Sequence, residues 1–235
     1  MGPTHAPRVK ICCISSVEEA ALAIACGASA LGLVSAMPSG PGVIGEDLIA
    51  EIAATIPPPI GSFLLTSEQN VDAILQQQRR CRTNCIQLCD CLKTGSHADL
   101  RSALPGISLV QVVHVTGQES VDEAVAIASS VDAILLDSGN PARAIKELGG
   151  TGRSHDWSLS QQIREQIEIP IFLAGGLNPG NVGQAMKVVG PFGLDLCSGV
   201  RTNGKLDRTK LMDFFDAVHN AENQLASPVV ESSSR

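Results

Sequence analysis

Short apolar runs alternate with segments of helical period along almost the whole chain. Eight runs read as strands: VKICC (9–13), ALGLV (30–34), GSFLL (61–65), CIQLC (85–89), LVQVVHV (109–115), DAILLD (132–137), PIFLA (170–174) and GLDLCS (193–198). Most are continuously apolar rather than alternating, the pattern of parallel strands covered on both faces. Between them, residues 16–26, 46–56, 70–82, 96–104, 119–130, 158–167, 180–189 and 207–219 read as helices. Ser16 and Glu19 stand at capping-box spacing at the head of the first helix. Asn178 or Asn181, with Pro179 as a helix-compatible start, heads the seventh.

Eight βα repeats predict an α/β fold, a single-domain (β/α)8 TIM barrel over residues 9–221. A short tail (1–8) precedes it. The stretch 222–235, ending in ASPVVESSSR, is expected to be a disordered tail, being polar and serine-rich. A doubly wound open sheet shares the βα signal. The first βα turn lacks GxGxxG, which weakens a dinucleotide-binding reading.

Composition narrows the picture. The 235 residues suit one large domain, and 44% are apolar while only 3% are aromatic, so Val, Ile, Leu and Ala must build the core. The net charge of -7 argues against nucleic acid or an anionic membrane as partner, since both need a basic surface. No run of 18 apolar residues predicts a membrane span, and the N-terminal MGPTHAPR has no signal-peptide core, so a cytoplasmic protein is expected. Eight cysteines in such a chain are expected to be reduced. Cys85, Gln87, Cys89 and Cys91 would share one face of an extended run, but their spacing matches no common zinc pattern. No metal and no cofactor are expected.

In a barrel the chemistry gathers at the C-terminal ends of the strands. There stand Cys12 and Cys13 after the first strand, Asp137 after the sixth, Gly175 and Gly176 after the seventh, and Ser198 and Gly199 after the eighth. The loops after strands seven and eight are where such barrels commonly bind phosphate through backbone N–H groups. GGTG (149–152), with Gly150 and Gly152, offers a third glycine loop. The same glycines also suit tight βα turns with no ligand.

Taken together, KICC (10–13), LLD (135–137), GGTGRSHDW (149–157), GGLNPGNV (175–182) and DLCSGVR (195–201) resemble motifs of the phosphoribosylanthranilate isomerase family of tryptophan biosynthesis. That family's patterns are KICG, LLD, GGTGK-x-FDW, GGL-x-P-x-NV and D-x-SSGVE. The resemblance runs in order from about residue 9 to 219. It implies an Amadori rearrangement of N-(5-phosphoribosyl)anthranilate to 1-(2-carboxyphenylamino)-1-deoxyribulose 5-phosphate, with no cofactor. It also implies Cys12 as general base and Asp137 as general acid. The partner would be a small phosphorylated molecule, and the chain a monomer or homodimer.

The residue types suit that chemistry. A desolvated site raises an aspartate's pKa and keeps it protonated. A thiolate at neutral pH needs help from a cation or a helix end. Lys10 has the strand parity of Cys12; alternation sends only one of the two adjacent cysteines into the barrel, and the resemblance implies that it is Cys12, with Cys13 packing outward.

This chain departs from the pattern at four places. Cys13 replaces a glycine, QLCD (87–90) stands for QLHG, and Arg201 replaces a glutamate. The loop SAMPSGPGVIGED (35–47) lacks the arginine that would pair with the anthranilate carboxylate. Arg153, Arg201, His114, Gln87 and Lys10 are the candidates for carboxylate or sugar contacts, with backbone N–H groups of the Gly- and Pro-rich loop 35–47 as the alternative for the carboxylate. A barrel acting on another phosphorylated sugar or aminosugar, and a non-catalytic phosphometabolite-binding protein, are the competing readings.

Overall fold

The computed structural model describes residues 7–140, 142, 145–149, 152 and 154–226. Eight strands close into a barrel in chain order: β1 (Arg8–Ile11), β2 (Ala30–Val34), β3 (Gly61–Thr66), β4 (Cys85–Leu88), β5 (Ser108–His114), β6 (Ala133–Asp137), β7 (Ile171–Leu173) and β8 (Gly193–Leu196). Every neighbouring pair is parallel, and β8 closes on β1 with Lys10 opposite Asp195 and Ile11 opposite Leu196. This is the expected (β/α)8 barrel. An open sheet is excluded by the β1–β8 seam.

Among the described residues eight α-helices alternate with the strands: α1 (Val17–Ala25), α2 (Glu46–Thr55), α3 (Val71–Cys81), α4 (His97–Ala103), α5 (Glu119–Ile127), α6 (Trp157–Gln166), α7 (Val182–Val189) and α8 (Arg208–Ala226). The continuous apolar runs now have a cause. Along β6, Ile134 and Leu136 pack outward into the layer beneath the helices, while Ala133 and Leu135 face the barrel interior. Along β3, Leu64 packs outward and Phe63 and Leu65 inward. Each fully buried Leu or Ile contributes about 1.5–3 kcal/mol, so the outer layer carries most of the apolar stabilisation. The interior is filled by small and sulfur-bearing side chains around an edge-to-face Phe63–Phe172 pair, 5.9 Å between centroids.

Several local expectations are corrected. Ser16 caps α1 by accepting from the Glu19 N–H, but the Glu19 carboxylate bonds to Ser15, Leu206 and Arg201 instead of closing the box. The complete capping box belongs to α4, between Ser96 and Asp99. At α7 the cap position is Asn181, yet its side chain turns back to accept from Asn178 N–H and donate to the Gly176 carbonyl. Helix α8 continues past the boundary expected at 221, because AENQLA (221–226) contains no helix breaker. Residues 227–235 and 1–6 lie outside the described residues. A small hairpin, β9 (Arg201–Thr202) with β10 (Lys205–Leu206), follows β8. Its strands are only two residues long and leave no periodic signal.

Candidate active site

A cleft opens at the C-terminal end of the strands, the place where such barrels bind their ligands. Its wall includes Cys12, Cys13, Gln87, Asp137, Gly152, Gly175, Gly176, Ser198 and Gly199. Residues drawn from six stretches of chain thus meet in one place. Gly150 and Arg153 lie outside the described residues.

Cys12 follows β1, and its amide N–H donates to the Leu196 carbonyl at 2.8 Å, extending the β1–β8 seam. Beneath it lies Lys10, fully buried, with Nζ 2.9 Å from Asp195 Oδ1 and 5.3 Å from the Phe63 ring centroid. Burial alone would depress the Lys10 ammonium, but the Asp195 carboxylate outweighs it and the pKa is raised. A Cβ at Gly32 would lie 2.9 Å from Cys12 Sγ and 3.0 Å from Lys10 Nζ. Both side chains therefore converge above the glycine of β2, as the shared parity of positions 10 and 12 requires. Glycine leaves them the room.

The expectation that Cys13 packs outward is overturned. β1 ends at Ile11, Cys13 takes φ 63°, and this left-handed residue breaks the alternation. Both cysteines line the cavity. The Cys13 thiol donates to the Pro41 carbonyl at 3.5 Å. It also bonds to Cys197; that bond, opposed by burial and aided by Arg201, lowers the Cys197 pKa.

Asp137 ends β6. Its Oδ1 accepts from the Ser138 N–H at 2.8 Å, and a Cβ at Gly149 would lie 2.9 Å from its Oδ2. Burial pushes this carboxyl up despite the Ser138 bond, so the protonated acid is favoured. In the closed barrel β8 and β7 lie between β1 and β6. Cys12 and Asp137 therefore flank the loops that follow those two strands.

Those loops form a glycine cradle. Gly175 and Gly176 have φ 88° and 61°, conformations that suit glycine. Gly199 is packed so closely that a Cβ would meet the Leu177 carbonyl at 2.3 Å. A Cβ at Gly152 would lie 3.5 Å from Ser198 Oγ, which brings the GGTG loop against the same place.

Gln87 projects from β4 into the cavity. Its Nε2 donates to Cys89 Sγ at 3.8 Å, and its Oε1 is buried without a partner, an acceptor awaiting a donor. Arg201 departs from expectation. Its guanidinium is committed to Glu19 at 3.0 Å and to the carbonyls of Cys12, Cys13 and Gly204. It braces the β1 turn from behind, and it is not part of the cavity wall. Cys85 and Cys89 are buried within the barrel, and burial pushes both thiols up, while Cys91 is exposed. Among the described residues no group of three His, Cys, Asp or Glu is placed to hold a metal ion.

The sequence reading did not single out Asp195, although it lay within a quoted motif; its role depends on Lys10, 185 positions away. Asp90 and Lys146, an ion pair between the end of β4 and the loop after β6, were likewise unsignalled.

The family model for N-(5'-phosphoribosyl)anthranilate (PRA) isomerase matches residues 9–217. This chain belongs to that family. An isomerase of this name from Methanosarcina mazei, numbered 2, is 35% identical over 92% of this chain and 94% of its own length. The crystal structure of phosphoribosyl anthranilate isomerase from Thermotoga maritima superposes with a TM-score of 0.76 at 29% identity, covering 91% of this chain and 99% of that one. A structure of phosphoribosyl anthranilate isomerase in complex with reduced 1-(o-carboxyphenylamino)-1-deoxyribulose 5-phosphate superposes with a TM-score of 0.73 at 27% identity, with the same coverage of both chains. Among the described residues no helix is long and apolar enough to cross a membrane.

Proposed function

We propose that this chain catalyses the Amadori rearrangement of N-(5-phosphoribosyl)anthranilate, a step of tryptophan biosynthesis. The observation that carries the reading is the pairing of Cys12 and Asp137 on one cavity wall, either side of a glycine cradle, with burial raising the Asp137 pKa towards the form an acid needs. Asp137 gives its proton to the ribose ring oxygen. The ring C1–O bond breaks as the aniline nitrogen lone pair forms the iminium. Cys12 then removes the proton from C2, the electrons pass to the iminium, and the enol amine relaxes to the ketone. Acid and base must reach opposite ends of this short path, and strands β1 and β6 offer that separation. Each group contributes on the order of 10²–10⁴-fold.

The phosphate rests against Gly175, Gly176, Ser198 and Gly199, with Gly152 of the GGTG loop beside it. Backbone N–H groups can reach an anion only where no side chain intervenes. Gln87 Oε1 takes a hydroxyl or N–H of the substrate. The partner is a small phosphorylated molecule, the setting the cytoplasm, and the chain works as a monomer or homodimer.

The test is to mix the purified chain with freshly made phosphoribosylanthranilate and follow loss of the substrate. Loss well above the buffer rate, with the ribulose product formed, is expected. A rate equal to buffer overturns the reading and leaves another phosphosugar or a binding role.

A further inference from the structure

The substrate proposed above carries two anions, a phosphate and a benzoate carboxylate. The phosphate has its cradle. Among the described residues the carboxylate has no counterpart in the wall of the cavity, where they place no Lys or Arg and two aspartates, Asp137 and Asp195. A carboxylate taken from water without a partner is strongly disfavoured. The loop 35–47 along one side of the mouth has no cation to give.

Two cations that come close are already consumed. Lys10 is buried beneath Cys12 and bonded to Asp195. Arg201 is spent on Glu19 and on main-chain carbonyls behind the β1 turn. Lys146 differs. Its side chain is 35% exposed, and its ammonium is paired with Asp90 at the end of β4. Its own carbonyl accepts from Ser39 Oγ at 2.6 Å, and Ser39 lines the cavity. Leu148 and Gly149, just beyond it in the chain, line the cavity too, as does Cys89, the neighbour of Asp90. The ammonium thus stands at the rim, where the loop after β2 meets the loop after β6.

The position is also at the correct end of the ligand. In an eight-stranded barrel β4 faces β8. A molecule anchored by phosphate over β7 and β8, and stretched across the mouth, delivers its far end to the β4 rim. An ammonium has three donors, and Asp90 Oδ2 takes one, while Asp90 Oδ1 accepts from the Cys91 N–H.

We propose that Lys146, held over the mouth by Asp90, binds the carboxylate of the substrate's aromatic ring, with Asp90 as its positioning residue. This rests on the isomerase reading. It makes Lys146 the residue that selects an ortho-carboxylated aryl amine over an uncharged one. Without the lysine, Asp90 would confront the ligand as a bare carboxylate, so removing Lys146 should hurt more than neutralising Asp90.

The experiment is a calorimetric titration with two ligands. One is reduced 1-(o-carboxyphenylamino)-1-deoxyribulose 5-phosphate, and the other is its phenylamino counterpart without the carboxyl group. The native chain should prefer the first by roughly 10–150-fold, the range of one charge-assisted bond. Lys146→Met should abolish that preference yet bind the second ligand unchanged, which shows that the fold is intact. Lys146→Arg should keep most of the preference, and Asp90→Asn should narrow it. A preference that survives in Lys146→Met overturns the assignment while leaving the isomerase reading standing. Loss in Arg143→Met or Arg153→Met instead, residues outside those described, would reassign the contact. Failure of both ligands to bind the native chain removes the isomerase reading and this inference with it.

Discussion

Replacing Asp137 with Asn should move activity and stability in opposite directions. The amide keeps the acceptor for the Ser138 N–H and nearly the same volume, but it has no proton to give. Loss of a general acid lowers kcat by on the order of 10²–10⁴, equivalent to about 2.7–5.5 kcal/mol of barrier. Stability responds to the ionisation. Burial raises the Asp137 pKa, so at neutral pH the unfolded chain ionises this carboxyl freely and the folded chain resists. The native aspartate therefore weakens the fold above the unfolded pKa near 3.9, by about 1.4 kcal/mol for each tenfold difference in ionisation. Asn removes that penalty. For a chain of this size each kcal/mol is about 2–4 °C in Tm. Thermal melts from pH 4 to pH 8, beside steady-state rates, provide the assay. The Asn variant should melt higher than the native chain at pH 7.5, and the gap should narrow as pH falls towards 4, where the unfolded chain begins to take up the proton as well. In the native enzyme kcat/KM should fall as pH rises through the elevated Asp137 pKa. A variant that keeps its activity, or melts several degrees lower at pH 7.5, would refute Asp137 as a buried protonated acid.

Cys12→Ser should lower kcat by on the order of 10² or more, whereas Cys13→Ala should change it only a few-fold; the reverse order in steady-state rates would make Cys13, which shares the cavity wall, the base. Arg201→Met should reduce stability by about 2–3 kcal/mol in urea unfolding, below the usual figure for a broken buried pair because Glu19 keeps the N–H groups of Ser15 and Leu206. Glu19 is held below the usual carboxylate range, its burial being outweighed by the Arg201 bond, so the native advantage should be complete above about pH 5 and fade as pH falls.

The strands were legible because parallel barrel strands must be apolar on both faces. Residues 30–34 were bounded as the structure has them, and DAILLD ended at Asp137 in both. The ends of strands misled where backbone conformation, not hydrophobicity, decides the outcome. Cys13 looks apolar and continuous with β1, but its left-handed φ turns the side chain into the mouth. Lys10 and Cys12 could be put on one face by parity. Nothing local could reveal that Asp195 neutralises Lys10, or that Arg201 reaches Glu19. Those partners are 185 and 182 positions apart, and only closure of the barrel brings them together. The Asp90–Lys146 pair was hidden for the same reason, at a separation of 56.

The β1–β8 seam makes chemical competence a property of the finished chain. The proposed base is carried by the first strand and the phosphate cradle by the last two. The entropy of joining them is met only when a loop of almost the whole polypeptide closes. A chain still being synthesised, or cut before residue 193, has Cys12 but neither the Leu196 carbonyl that receives its amide nor the carboxylate that neutralises Lys10. Such a chain leaves a lysine ammonium unmatched in what would become the barrel interior, which disfavours packing around it. Contacts of this separation form late in folding and slowly. Turnover of substrate therefore reports on ring closure itself, and a partly folded intermediate with seven strands in place would be catalytically silent.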